Sequence, residues 1–181
     1  MRSRTAYALG SIFPHVPNKQ HAWDDLIKLS TDEDHSVITC ANHSLGKVSI
    51  FKASQAEEEA DYKKELEKAI VFFEKATRES HGWFNPSNFC LPFYRSFHTI
   101  IFKRQGAKEE MDRYLAEAKS AIEGSKSKEL LLEAVENLSN ALREVKNFGN
   151  LDLDAKKGEL SFYRKYCDRA AIPVLTENAC N

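Results

Sequence analysis

The sequence contains few of the residues that break or cross-link a chain. Its 181 residues include only 7 glycines, 5 prolines and 4 cysteines. No apolar run approaches the roughly 18 residues that a membrane span requires. Few glycines and prolines argue against a turn-rich β-sandwich, and 42% apolar residues argue against disorder. We therefore expect an all-α protein that does not enter a membrane.

The cysteines and histidines form no pattern typical of a disulfide framework or a metal site. Cysteines occur singly, without a Cys-x-x-Cys pair and without a signal-peptide pattern before them, at Cys40, Cys90, Cys167 and Cys180. Such usage predicts reduced thiols and a cytoplasmic protein. Structural zinc requires ligands in closely spaced pairs, and the six histidines do not supply them. We expect no metal and no other cofactor.

The charge balance argues against a general nucleic-acid binder. The net charge is −1 and the isoelectric point is near 6.6. One basic strip is present on the last predicted helix, formed by Lys156, Lys157, Arg164, Lys165 and Arg169. Acidic residues are interleaved with it, which favours a solvated face over contact with RNA or DNA. Binding of single-stranded nucleic acid is kept as an alternative function.

The N-terminal quarter of the chain contains an internal repeat. Residues 5–12 and 41–48 share a small-x-x-small-Leu-Gly-x-aliphatic pattern at an offset of 36 residues. Between them, Asn18 is placed to cap a helix, and residues 31–34 end that helix and cap the next. The apolar side of the first helix comprises Ala22, Trp23, Leu26, Ile27 and Leu29. The repeating unit is therefore a helix pair.

Residues 8–51 resemble HEAT-type repeats, in particular the phycobilisome-lyase-like variety that occurs as tandem arrays in archaeal proteins. The resemblance is carried by Trp-Asp-Asp-Leu at 23–26, Asp-Glu-Asp at 32–34 and Leu-Gly at 45–46. It implies an α-solenoid that binds other proteins. The segment from residue 54 to about residue 167 resembles a helical domain that closes such arrays at their C-terminal end.

The resemblance implies that residues 1–51 are one and a half repeats, since the chain begins at what would be the second helix of a unit. Solenoid repeats bury their apolar faces only against neighbouring repeats. We therefore expect an open edge at Tyr7, Ile12 and Phe13, through which the chain binds another protein or a second copy of itself.

Residues 52–172 are predicted to form an up-and-down bundle of about five helices, because the connections between its helical patterns are short. Ser54 and Glu57 have the spacing of a capping box and predict a helix from residue 55. Pro92 is assigned to the first turn of the next helix and Pro173 to the end of the last one. Residues 173–181 are predicted to be a flexible tail.

Residues 85–102 are the most apolar and aromatic stretch and are predicted to be the central element of the bundle. Phe93, Phe97, Ile100 and Ile101 form its core-facing stripe. Four side chains remain off this stripe and form a candidate interaction surface: Tyr94, Arg95, His98 and Phe102. A cation beside aromatic faces suits a peptide or a stacked base. We expect Arg95 to pair with a carboxylate of the helix predicted at 55–80.

The sequence contains no nucleotide-binding or hydrolase motif and no catalytic site is predicted. Cys90 is the best candidate nucleophile, but it lies between Phe89 and Leu91, which favours a small buried hydrophobe. We interpret the chain as a non-enzymatic interaction or scaffold module of the HEAT type. An enzyme that uses Cys90 is the second alternative.

Overall fold

The computed structural model describes residues 1–80, 85–102, 108–123, 125, 127–144 and 151–175. For residues 141–144 and 165–175 it describes the backbone only. Within these residues the chain is entirely helical and contains no strand, which confirms the predicted all-α class. Apart from a 3₁₀ turn at Phe13–His15, the elements are α1 (Arg2–Ile12), α2 (Lys19–Leu29), α3 (His35–Ser54), α4 (Glu59–Glu79), α5 (Ser87–Phe102), α6 (Lys108–Ala121), α7 (Lys128–Glu144) and α8 (Leu153–Leu175).

The predicted caps of the first helix pair are present. The Asn18 side chain accepts a hydrogen bond from the backbone N–H of His21 at 3.0 Å and begins α2. The Asp34 carboxylate accepts the backbone N–H of Ser36 at 2.8 Å and begins α3. These two caps place α2 beside α3, and Leu26 of α2 and Leu45 of α3 are both fully buried in the N-terminal core.

Helix α3 lies at the centre of the molecule and contributes to two hydrophobic cores. Cys40 and Leu45 pack with α1 and α2, whereas Ile50 and Ala53 pack with the C-terminal helices. From residue 41 to residue 50 only Lys47 is more than marginally exposed. The predicted domain boundary between residues 51 and 52 falls inside this helix.

The C-terminal core is built around α5, in agreement with the role predicted for residues 85–102. The stripe of Phe93, Phe97, Ile100 and Ile101 is buried, and α5 contacts α4, α6 and α7. Tyr163 of α8 packs edge-on against Phe93 and Phe97, with ring centroids 5.5 and 5.9 Å apart. A helix that is apolar on most sides needs neighbours on most sides.

Three predicted helix boundaries are wrong. Ser54 does not cap a helix at residue 55, because α3 continues to Ser54, whose hydroxyl donates to the carbonyl of Phe51 at 2.7 Å, and α4 begins at Glu59. Pro92 lies inside α5 rather than in its first turn, since the helix begins at Ser87. Pro173 does not end α8, which continues to Leu175. Of the predicted flexible tail, residues 176–181 lie outside the described residues.

In the described part of the chain, no helix combines the length and apolar character that crossing a bilayer demands.

Candidate interaction groove between α4, α5 and α6

A depression of about 330 Å³ lies where α4, α5 and α6 meet, and we call it the groove. Each helix supplies two or three lining residues: Glu67, Ile70 and Val71 from α4, Arg95, His98 and Thr99 from α5, and Glu110 and Tyr114 from α6. Val71 is 49% exposed, although it is aliphatic. The groove is therefore an open apolar surface bordered by charged side chains.

The polar groups of the groove pair with one another, both between α4 and α5 and within α6. The Arg95 guanidinium lies 3.4 Å from a Glu74 carboxylate oxygen, which fulfils the expectation that Arg95 pairs with a carboxylate of the preceding helix. His98 Nε2 lies 3.3 Å from Glu67 Oε1. The Tyr114 hydroxyl donates to Glu110 at 3.0 Å, and the Arg95 guanidinium lies 5.8 Å from the Tyr114 ring centroid. Pairing at this distance orders the side chains around an apolar centre.

Tyr94 does not belong to this surface, because its side chain is 1% exposed. Its ring stacks on Phe73 of α4 with centroids 5.6 Å apart and an interplanar angle of 6°. Phe102 is half-buried and does not line the groove; its ring centroid lies 5.0 Å from that of His98, 6.0 Å from that of Tyr62 and 5.7 Å from the Lys156 ammonium. Of the four predicted surface residues, the structure therefore brings only Arg95 and His98 into the groove.

The predicted open edge at the N-terminus is smaller than expected. Phe13 is 1% exposed and packs edge-on against Phe51, with ring centroids 6.1 Å apart. Tyr7 is half-buried, and the Lys47 ammonium lies 5.5 Å from the centroid of the Tyr7 ring. Ile12 is 52% exposed and is the residue of the three that remains at the surface. Phe13 is buried because it packs into the N-terminal core formed by α1, α2 and α3.

The basic strip does not form one face. Lys156 is 3% exposed and its ammonium pairs with Glu59 of α4. Arg164 instead packs its guanidinium 5.4 Å from the ring centroid of Phe51 in α3. The side chains of Lys165 and Arg169 lie outside the described residues. Because Lys156 is buried, it cannot contribute to a basic surface on α8, and because Tyr94 is buried, it cannot stack on a base beside Arg95.

Cys90 is 2% exposed and lies in the C-terminal core, so solvent does not reach the thiol. The aliphatic hydroxyl that lines the groove belongs to Thr99, and this residue is only 3% exposed, which makes it a poor nucleophile. Among the described residues, no group of three or more His, Cys, Asp or Glu side chains could hold a metal ion. The arrangement is suited to contact with another molecule more than to covalent chemistry.

Sequence reasoning missed most of the groove. Helical spacing places Tyr114 on the apolar side of α6 with Met111 and Leu115, and no sequence pattern singled out Glu67 or Glu110. The signal that could have found them is their spacing: Glu67 precedes Ile70 and Val71 by three and four residues, and Glu110 precedes Tyr114 by four. Which helix faces α5 is decided by packing, and that information is absent from single helices.

No protein-family model, curated protein or solved structure matches this chain.

Proposed function

We propose that this chain is a non-enzymatic, HEAT-like helical module that binds another protein through the groove between α4, α5 and α6. The observation that carries the proposal is Val71, an aliphatic side chain left 49% exposed in a depression with an ordered polar border. Binding hot spots have this form, in which an apolar pocket surrounded by polar groups takes one anchor residue of the partner.

The internal repeat and the pair α2 and α3 support the HEAT-like part of the proposal. HEAT-like repeats are helix pairs that stack and present surfaces to partners. The two described thiols, Cys40 and Cys90, are buried and form no disulfide bond, which is in keeping with the proposed reducing, cytoplasmic location.

The partner segment that suits the groove is a basic amphipathic helix. Two carboxylates line the groove, Glu67 and Glu110, against one arginine, Arg95, whose guanidinium already pairs with Glu74 outside the lining. Lysine or arginine beside the anchor residue would complement this excess of negative charge. A helix that binds in a groove contacts it through apolar side chains spaced three or four residues apart. The neighbouring α4 and α5 provide two helical ridges between which such a helix can pack.

The proposal can be tested by selecting helical peptides from a displayed library on the purified protein. We expect the selected peptides to carry apolar residues at helical spacing flanked by lysine or arginine. Their affinity should fall at least tenfold for the variant Val71→Arg, because the new side chain fills the groove and repels the basic flanks. Fluorescence anisotropy with labelled peptides measures the change, which corresponds to about 1.4 kcal/mol or more.

The matched control is Ile27→Arg, the same type of change at an aliphatic side chain of α2 that is 38% exposed and lies outside the groove. Its peptide affinity should equal that of the unchanged protein. Selected peptides that are acidic, or that bind the Val71→Arg variant as tightly as the parent, would overturn the assignment of the groove.

A further inference from the structure

A second cavity lies where the end of α1, the 3₁₀ turn, α3 and α8 meet. It has a volume of about 240 Å³, and we call it the N-terminal pocket. Its lining comes from the end of α1, the 3₁₀ turn, α3 and α8, and consists of Gly10, Ser11, Phe13, Pro14, His15, Lys47, Val48, Phe51 and Arg164. None of these residues belongs to the groove.

The basic side chains of the N-terminal pocket come from three separate elements. His15 belongs to the 3₁₀ turn, Lys47 to α3 and Arg164 to α8. None of the described lining residues is acidic, although the whole chain carries a net charge of −1. Lys47 and Arg164, which are far apart in the sequence, therefore bring two permanent positive charges to one cavity, which the overall charge does not reveal.

The potential of Lys47 is also felt inside the protein. His43, one turn earlier in α3, is completely buried, and the charge of Lys47 adds to burial in lowering its pKa. Because Lys47 also lines the N-terminal pocket, an anion bound there would be attracted by the same ammonium group.

Apart from Ser11, the remaining lining residues are glycine or apolar. Phe13 lines the pocket, and the half-buried Phe51 lies beside the Arg164 guanidinium, which is 5.4 Å from the ring centroid. Arginine and lysine together are the usual protein ligands of phosphate, which carries more negative charge than a carboxylate. The combination of cations with an apolar wall suits a phosphate group that carries a small organic substituent.

We propose that the N-terminal pocket binds a small organic phosphate, whose phosphate group contacts Lys47 and Arg164 and whose organic part packs against Pro14, Val48 and Phe51. His15 contributes a further donor at the mouth of the pocket. The site is separate from the groove and does not depend on the proposed partner.

The test uses phenyl phosphate as the probe, with inorganic phosphate and phenol as its two halves. Isothermal titration calorimetry of the purified protein should detect phenyl phosphate binding, tenfold or more weaker binding of inorganic phosphate, and no binding of phenol. Amide chemical-shift changes should be confined to the residues that line the N-terminal pocket. Equal affinity for phenyl phosphate and inorganic phosphate would overturn the organic part of the proposal.

Two variants test the cations separately. Lys47→Gln and Arg164→Gln should each weaken phenyl phosphate binding at least tenfold, because each removes a charge-assisted contact. Lys28→Gln changes an exposed lysine of α2 outside the pocket and should leave the affinity unchanged. Undetectable binding of phenyl phosphate to the unchanged protein at millimolar concentration, or equal losses in all three variants, would refute the site.

Discussion

Lowering the pH from 7.5 to 5 should destabilise this protein through one residue, His43. The side chain is 2% exposed in the middle of α3, and its Nδ1 lies 2.9 Å from the hydroxyl of Ser87 at the start of α5. Burial, assisted by the charge of Lys47, lowers the pKa of His43 from 6.5 to about 3. The folded protein therefore keeps this imidazole neutral across the whole interval.

The magnitude follows from the difference in proton binding between the two states. Well above pH 6.5 neither the folded nor the unfolded chain protonates His43, so it contributes no pH dependence there. Between pH 6.5 and pH 3 the unfolded chain binds a proton that the folded protein does not, and the free energy of unfolding falls by about 1.4 kcal/mol per pH unit. At pH 5 the accumulated loss relative to pH 7.5 is about 2 kcal/mol.

Urea denaturation at pH 7.5, 6.5, 5.5 and 5.0 measures the free energy of unfolding at each pH. We compare the unchanged protein with His43→Asn, which does not titrate in this range. The variant is expected to be less stable at pH 7.5, because asparagine fills less of the space beside Phe73, whose ring centroid lies 5.6 Å from that of His43. Its stability should nevertheless fall about 2 kcal/mol less than that of the parent between pH 7.5 and pH 5.

Ser87→Ala separates the titration from general loss of stability. It removes the hydroxyl partner of His43 and should cost about 1 to 3 kcal/mol at pH 7.5. It retains the buried imidazole, so the pH dependence of the parent should persist. If the parent and His43→Asn lose stability in parallel as the pH falls, His43 is not the group responsible and the assignment of its protonation state is wrong.

One further prediction concerns packing at two glycines, and another concerns the buried hydroxyl of Tyr62. Gly46→Ala should destabilise the protein by about 1 to 3 kcal/mol, because a Cβ atom there would lie 2.5 Å from the Phe73 ring. Gly158→Ala should instead stabilise α8 by about 0.5 to 1 kcal/mol, because a Cβ atom there meets nothing within 4 Å. Thermal unfolding of both variants checks this, and a shift of the same sign in both would contradict it. Tyr62→Phe should cost about 1 kcal/mol in urea denaturation, because the hydroxyl donates to the backbone carbonyl of Lys156 at 3.1 Å. Burial raises the pKa of Tyr62, so the parent should lose stability above about pH 10 and the phenylalanine variant should lose less; identical alkaline profiles would refute this.

The features that sequence reasoning predicted correctly are those determined within one helical turn. Asn18 and Asp34 cap their helices through backbone groups two or three residues away. The apolar stripe of α4, which includes Tyr62, Leu66 and Phe73, is buried as its spacing predicts. Such features need no knowledge of the rest of the molecule.

The wrong boundaries arose where packing overrides a local preference. A proline in a helix interior costs about 3 kcal/mol, yet Pro92 lies inside α5. The start of α5 is fixed instead by Asn85, which accepts the backbone N–H of Ser87 at 2.9 Å and donates to the carbonyl of Ala76 in α4 at 2.8 Å. Burial of the aromatic face of α5 offsets the cost of Pro92, and neither contact can be read from a linear pattern.

The groove was only half predictable for the same reason. The pairing of Arg95 with a carboxylate of the preceding helix follows from the need of a partly buried cation for a partner. That Tyr114 and Glu110 complete the groove depends on how α6 lies across α5, and the periodicity of α6 alone placed Tyr114 in the core. Lys156 shows the reverse case: its charge predicted a place on the solvated face of α8, but the side chain is buried. A lysine is tolerated there because Glu59 of α4 pairs with it.

The internal repeat also has a physical counterpart that its sequence pattern did not reveal. The two Leu-Gly pairs place a glycine at successive helix crossings: a Cβ atom at Gly10 of α1 would lie 2.5 Å from Ser44 of α3, and one at Gly46 of α3 would lie 2.5 Å from Phe73 of α4. The same repeat position thus permits close approach to the following layer in both copies. In the second copy the neighbouring helix is α4, so α3 lies between α1 and α4 and approaches both closely. These two close approaches help to bury α3 on nearly all sides, including small polar residues such as Ser44 and Ser49.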